Sequence, residues 1–112
     1  MATRLSLLLL FGLVTSAAAE EWTRARIARL PDSAFAVVEM APDGTKRRHL
    51  PHHDETGAVD PAHLRAALAR LPQVKWLNPV SKTIARRHLE EHRRESSSKK
   101  SDDSVQRVIR LR

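Results

Sequence analysis

The sequence predicts a small α+β domain, a β-hairpin packed on two antiparallel helices. Three observations predict it. A run rich in Val and Phe at residues 34–40 (AFAVVEM) runs straight into turn residues. An apolar stripe at helical spacing starts behind Asp60-Pro61, and a second helical pattern begins near Asn78-Pro79.

Taken in order, the chain opens on an export signal. Arg4 supplies a positive start, residues 5–14 are apolar except for Ser6 and Gly12, and Thr15-Ser16-Ala17-Ala18-Ala19 is small throughout. These are the three parts of a cleavable signal peptide, with cleavage expected between Ala19 and Glu20. The apolar run is shorter than the ~20 residues a spanning helix needs, and no second one follows. The mature chain is therefore expected to carry no transmembrane segment and to be periplasmic or secreted.

Residues 20–29 form a charged leader with Trp22 and Ile27 as its apolar members, and Pro31-Asp32-Ser33 ends it. The domain proper spans residues 30–94. In it, Ala41-Pro42-Asp43-Gly44 turns the chain, because proline presets the backbone, Asp bonds its own backbone and Gly accepts a positive φ. Residues 45–50 then return as a second strand, leaving Lys46, Arg47 and Arg48 solvated. Asp60 caps a helix whose first position takes Pro61, and Leu64, Ala67, Leu68 and Leu71 line one face before Pro72 stops it. The second helix runs to about Arg94, with Val80, Ile84, Ala85, His88 and Leu89 as its stripe. Residues 95–112 read as a disordered basic tail, since the stretch 96–104 (SSSKKSDDS) has little apolar surface to bury.

Composition narrows the function. Twenty Lys+Arg oppose thirteen Asp+Glu, and there is no cysteine. A secreted domain of fewer than a hundred residues without disulfides needs another source of stability: helix packing, a partner or an ion. No Gly-rich phosphate loop is present, and the serines fall in the signal, at Ser33, near Ser81 or in the tail, so no nucleophile pairs with a base. The chain is expected to be no enzyme; the alternative is acid–base work by His52 or His53 oriented by Asp54 or Asp60.

Histidine placement is the most suggestive feature. His49, His52 and His53 cluster with Asp54 on one segment, and His88 and His92 stand at i, i+4 on a helix face. That spacing presents two imidazoles to one ion, with His52 or His53 to complete a site for zinc, copper or nickel. The bland alternative is that His49 and His52 bond backbone carbonyls and His88 packs in the core. The arginines offer a third chemistry: Arg47, Arg48, Arg86, Arg87, Arg93 and Arg94 could neutralise a polyanion, whether lipopolysaccharide or an anionic membrane surface. Nucleic acid is disfavoured, because acids are interspersed and stacking aromatics are few.

Three blocks also carry a resemblance. Leu30-Pro31-Asp32-Ser33-Ala34-Phe35-Ala36, then Arg48-His49-Leu50-Pro51-His52-His53-Asp54, then residues 63–71 (HLRAALARL) resemble a short domain of bacterial and phage proteins, some of them associated with phage capsid maturation. The resemblance covers roughly residues 29–93 and implies the fold, with no activity attached. This chain departs from it in its leading export signal and in Arg86-Arg87-His88 and His92 on the second helix. On balance the sequence favours an exported, non-enzymatic interaction module for a protein partner, ahead of an envelope metal-binding protein and a polyanion binder.

Overall fold

The computed structural model describes residues 21–110. The expected signal peptide and its cleavage point at Ala19 and Glu20 lie outside the described residues. No helix among the described residues is long and apolar enough to cross a membrane.

The fold is α+β: helix α1 (Arg24–Arg29), strands β1 (Phe35–Met40) and β2 (Lys46–Pro51), helix α2 (Pro61–Arg70) and helix α3 (Pro79–Arg110). The strands pair antiparallel, with Val37 opposite His49 and Glu39 opposite Arg47. At the hairpin tip Gly44 has φ 86°, and its N–H donates to the Ala41 carbonyl at 2.9 Å. Asp43 accepts from the Thr45 N–H at 3.0 Å, so each turn residue does the work its chemistry suits it for.

Both faces of this hairpin are covered. On one side Val37 joins a core of Ala36, Leu50, Leu64, Ala67, Leu71, Ala85 and Leu89, drawn from both strands and from α2 and α3. On the other, Val38 meets Leu30, Ala34, Phe35, Trp22 and Ile27, so the leader folds back as part of the domain. Val37 and Val38 part company because consecutive strand residues point to opposite faces; at the start of β1, where Leu50 opposite leaves the regular strand conformation, Ala36 joins the core of Val37 and Phe35 that of Val38. Trp22 is half-buried, and its ring stacks on His63 at 3.6 Å.

Arg48 departs from its expected solvated role. Its guanidinium donates to the carbonyls of Leu30 (2.5 Å), Ile27 (3.0 Å) and Ala28 (3.2 Å), and lies over the Phe35 ring at 4.2 Å. It thus satisfies the open carbonyls at the C-terminal end of α1, where a cation is favoured. A polyanion cannot recruit it without undoing that cap, so it leaves the expected basic surface. Arg48→Ala is expected to lower unfolding free energy by about 2 kcal/mol in urea titrations. Arg47→Ala, on the exposed side, should change it by less than about 0.5 kcal/mol.

Helix α2 begins as expected, with Asp60 accepting from the His63 N–H at 3.0 Å and Pro61 at the first helical position. α3 differs from expectation in two ways. Ala85 and Leu89 are fully buried, but Val80 and Ile84 are 60% and 51% exposed, so the expected stripe splits into an inward and an outward row. The helix also continues through the serine-rich stretch to Arg110 instead of ending near Arg94. Extending a helix already seeded on the core avoids the nucleation penalty, which lets mediocre helix formers follow.

Candidate metal centre

Two segments converge beside α3. The first is the chain leaving β2. Leu50 has φ 61°, a left-handed conformation that costs a leucine about 1–2 kcal/mol. It is held because the side chain is buried in the core, and the consequence is that the Leu50 carbonyl faces the ring of His52. His52 Nδ1–H donates to that carbonyl at 3.0 Å. The His52 backbone is pinned too, its N–H donating to Ala34 and its carbonyl accepting from Asp60. The residue is fully buried.

His53 is fixed by the tight turn that follows. Asp54 accepts from the Thr56 and Ala58 N–H groups, Gly57 supplies a φ of 86°, and His53 Nδ1–H donates to the Gly57 carbonyl at 2.9 Å. Arg26 clamps the turn from outside through two bonds to the Glu55 carboxylate, at 2.6 and 3.0 Å.

The second segment is α3, where His88 and His92 flank the buried Leu89 and so share its inward face. His92 Nδ1 lies 3.5 Å from a Glu95 carboxylate oxygen. His52, His53, His88 and His92 each bring one ring nitrogen to within 4.8 Å of all the others. The two segments named in the sequence reading therefore do meet.

Hydrogen bonding inside the cluster does not close. His88 Nε2 lies 3.1 Å from His52 Nε2 and 3.1 Å from His92 Nε2. Since His52 uses its proton on Leu50 and His92 turns Nδ1 to Glu95, both outer Nε2 atoms present lone pairs. His88 Nε2 carries one proton at most and can serve only one of them. Protonating His52 or His88 is no remedy. Burial, aided by the neighbouring His53, His88 and His92, outweighs the Leu50 hydrogen bond and pushes His52 down to about 4. Burial, then His92 and His53, lowers His88 as well. A cation among the nitrogens would satisfy every lone pair at once.

The donor set fits such an ion. Tetrahedral zinc, at about 2.0–2.1 Å from each nitrogen, sets its ligands roughly 3.3 Å apart, close to the two 3.1 Å contacts of His88 and within the 4.8 Å spread of the four nitrogens. Three rings have Nδ1 directed at a carbonyl or carboxylate, the arrangement that fixes the tautomer and orientation of a metal-ligating histidine. Compared with models of protein families, with curated proteins and with solved structures, the chain matches none of them.

Other expected site residues fall elsewhere. His49 donates Nε2–H to Glu39 at 2.9 Å and stands edge-on to Trp76. Neither Asp54 nor Asp60 orients His52 or His53: Asp54 is occupied within its turn, and Asp60 bonds His63 Nδ1 at 2.5 Å. The acid–base pairing expected there is not formed. The Asp60–His63 pair itself escaped the sequence reading, although a histidine three residues after a helix cap was its signal. Arg47, Arg86, Arg87, Arg93 and Arg94 are exposed, on β2 and along α3.

Proposed function

We propose that this protein binds one divalent transition-metal ion, of the zinc, copper(II) or nickel class, through His52, His53, His88 and His92. The observation that carries the reading is the unclosed hydrogen-bond chain of three Nε2 atoms at 3.1 Å spacing. Neutral imidazoles alone suit these borderline ions; the absence of thiolate and carboxylate donors disfavours both soft and hard ones. Four protein ligands leave no place for substrate, which favours a structural or storage site over a catalytic one. The ion would act where disulfides act in other small exported domains, tying the segment after β2 to α3. The signal peptide read from residues 1–19 would put this activity in the cell envelope or outside the cell.

Cobalt(II) titration tests it. After chelator treatment, the visible ligand-field bands should grow to saturation at one cobalt per chain and disappear on adding zinc. His88→Ala should abolish the bands. A protein that takes up cobalt only weakly and without a defined endpoint would overturn the reading.

A further inference from the structure

Among the described residues, the outward row of α3 has no partner. We infer that this row is the docking surface for a second copy of the same chain, with the two α3 helices lying antiparallel. Val80, Ile84, Arg87, Glu91, Arg94, Ser98, Ser101, Val105 and Val108 recur at alternating steps of three and four, a single seam along the helix. The seam lies on nearly the opposite side of the helix from the inward row of Ala85, Leu89 and His92, so the domain body does not cover it. Every residue of the seam is exposed.

Two features mark the occupant as another copy. The first is where the apolar groups sit. Among the described residues, seven large hydrophobics are exposed: Met40, Leu77, Val80, Ile84, Val105, Val108 and Ile109. Six of them lie on the seam or beside it, three at each end, with a charged stretch between. Antiparallel pairing brings the two apolar ends together twice, Val80 of each copy against Val105 of the other and Leu77 against Val108. The second is charge. In that same register Glu91 of each copy faces Arg94 of the other across the two-fold axis, and the small Ser98 and Ser101 face Arg87 and Ile84. A parallel pairing would set Arg87, Glu91 and Arg94 against their own copies. The pairing is isologous, so it closes at two copies.

The pairing also accounts for the outer part of α3. Residues 96–110 add about 22 Å of helix beyond the domain body and are exposed on every side. A serine-rich helix of that length is marginal by itself, and a helix laid alongside supplies the missing contacts.

Sedimentation equilibrium of the full chain, run with and without zinc, tests the inference. A concentration-dependent dimer is expected, and it should persist in chelator, which separates this result from the fate of the metal site. Val105→Asp should shift the dissociation constant at least about tenfold. Glu91→Arg should weaken association likewise, and Glu91→Arg combined with Arg94→Glu should restore it, because the swap rebuilds both pairs. A protein that stays monomeric at every concentration would overturn the inference. So would a dimer indifferent to Val105→Asp, or one that Glu91→Arg weakens and the double swap fails to rescue.

Discussion

Zinc added to the chelator-treated protein should raise its Tm by ~15 °C or more. An ion that binds only the folded state stabilises it by mass action, about 4 kcal/mol at a free concentration a thousand times the dissociation constant. In a domain of this size each kcal/mol moves Tm by roughly 4–8 °C. His52→Ala and His88→Ala should both lose the zinc response, and a scan with excess chelator should return the wild-type curve to its metal-free position. Arg86→Ala, an exposed change on the same helix, should keep the full response. The metal-free protein should also be acid-sensitive in a defined window. The folded state holds His52 near 4, whereas the unfolded chain titrates it near 6.5. Between those values the unfolded chain binds the proton and the folded one does not. Stability is therefore fully present above about 6.5 and falls as pH drops toward 4, the direction expected for a histidine buried neutral. Melts of the metal-free protein across that range measure it.

Glu39→Ala should be the most damaging substitution outside the histidine cluster, lowering stability by about 3 kcal/mol. Glu39 is only 6% exposed, on a strand whose neighbour Met40 is 62% exposed. Its carboxylate accepts from the N–H groups of Leu77 (3.1 Å) and Asn78 (2.8 Å) and from His49. It therefore fastens β1 to the segment that launches α3, where Asn78 in turn accepts from the Val80 N–H. Burial alone would raise the Glu39 pKa. The amides of Leu77 and Asn78, with Ser81 and His49, outweigh it and hold the group below the usual carboxylate range. With its folded pKa depressed, Glu39 contributes stability above its unfolded value of about 4.5, and that contribution is lost as pH falls through the folded pKa. Glu39→Gln keeps the shape and removes the charge, so its unfolding midpoint should lie below wild type at neutral pH and approach it in acid. Chemical denaturation at both pH values checks this.

Much of the architecture was legible because local chemistry agrees with the fold. The hairpin was expected at 34–40 and 45–50 and occurs at Phe35–Met40 and Lys46–Pro51, since the Pro-Asp-Gly turn fixes its register. The four histidines were legible as two pairs, from adjacency in one case and helical spacing in the other. What sequence could not supply was the angle at which the pairs meet. That depends on the left-handed backbone of Leu50, a conformation no propensity assigns to leucine. Val80 and Ile84 were assigned to the core because an apolar residue at helical spacing does not say which side the body lies on. Their exposure became visible only once Ala85 and Leu89 had taken the inner face. Glu39 was hidden for the opposite reason, because an acid within an alternating strand reads as solvent-facing until its amide partners, nearly forty residues on, arrive beside it.

The two histidine pairs come from distant parts of the chain, His52 and His88 being 36 residues apart. An ion gripped by both pairs would close, through its coordination bonds, a ring of chain that contains the whole of α2, although α2 contributes no ligand. In polymer terms the ring resembles a cross-link of similar span, which restricts an open chain by roughly 4 kcal/mol of lost configurational freedom. The least obvious beneficiary of such an ion would be the helix that never touches it. With the ion in place, α2 could swing out only as a tethered loop, its ends held beside the core face to which they must return.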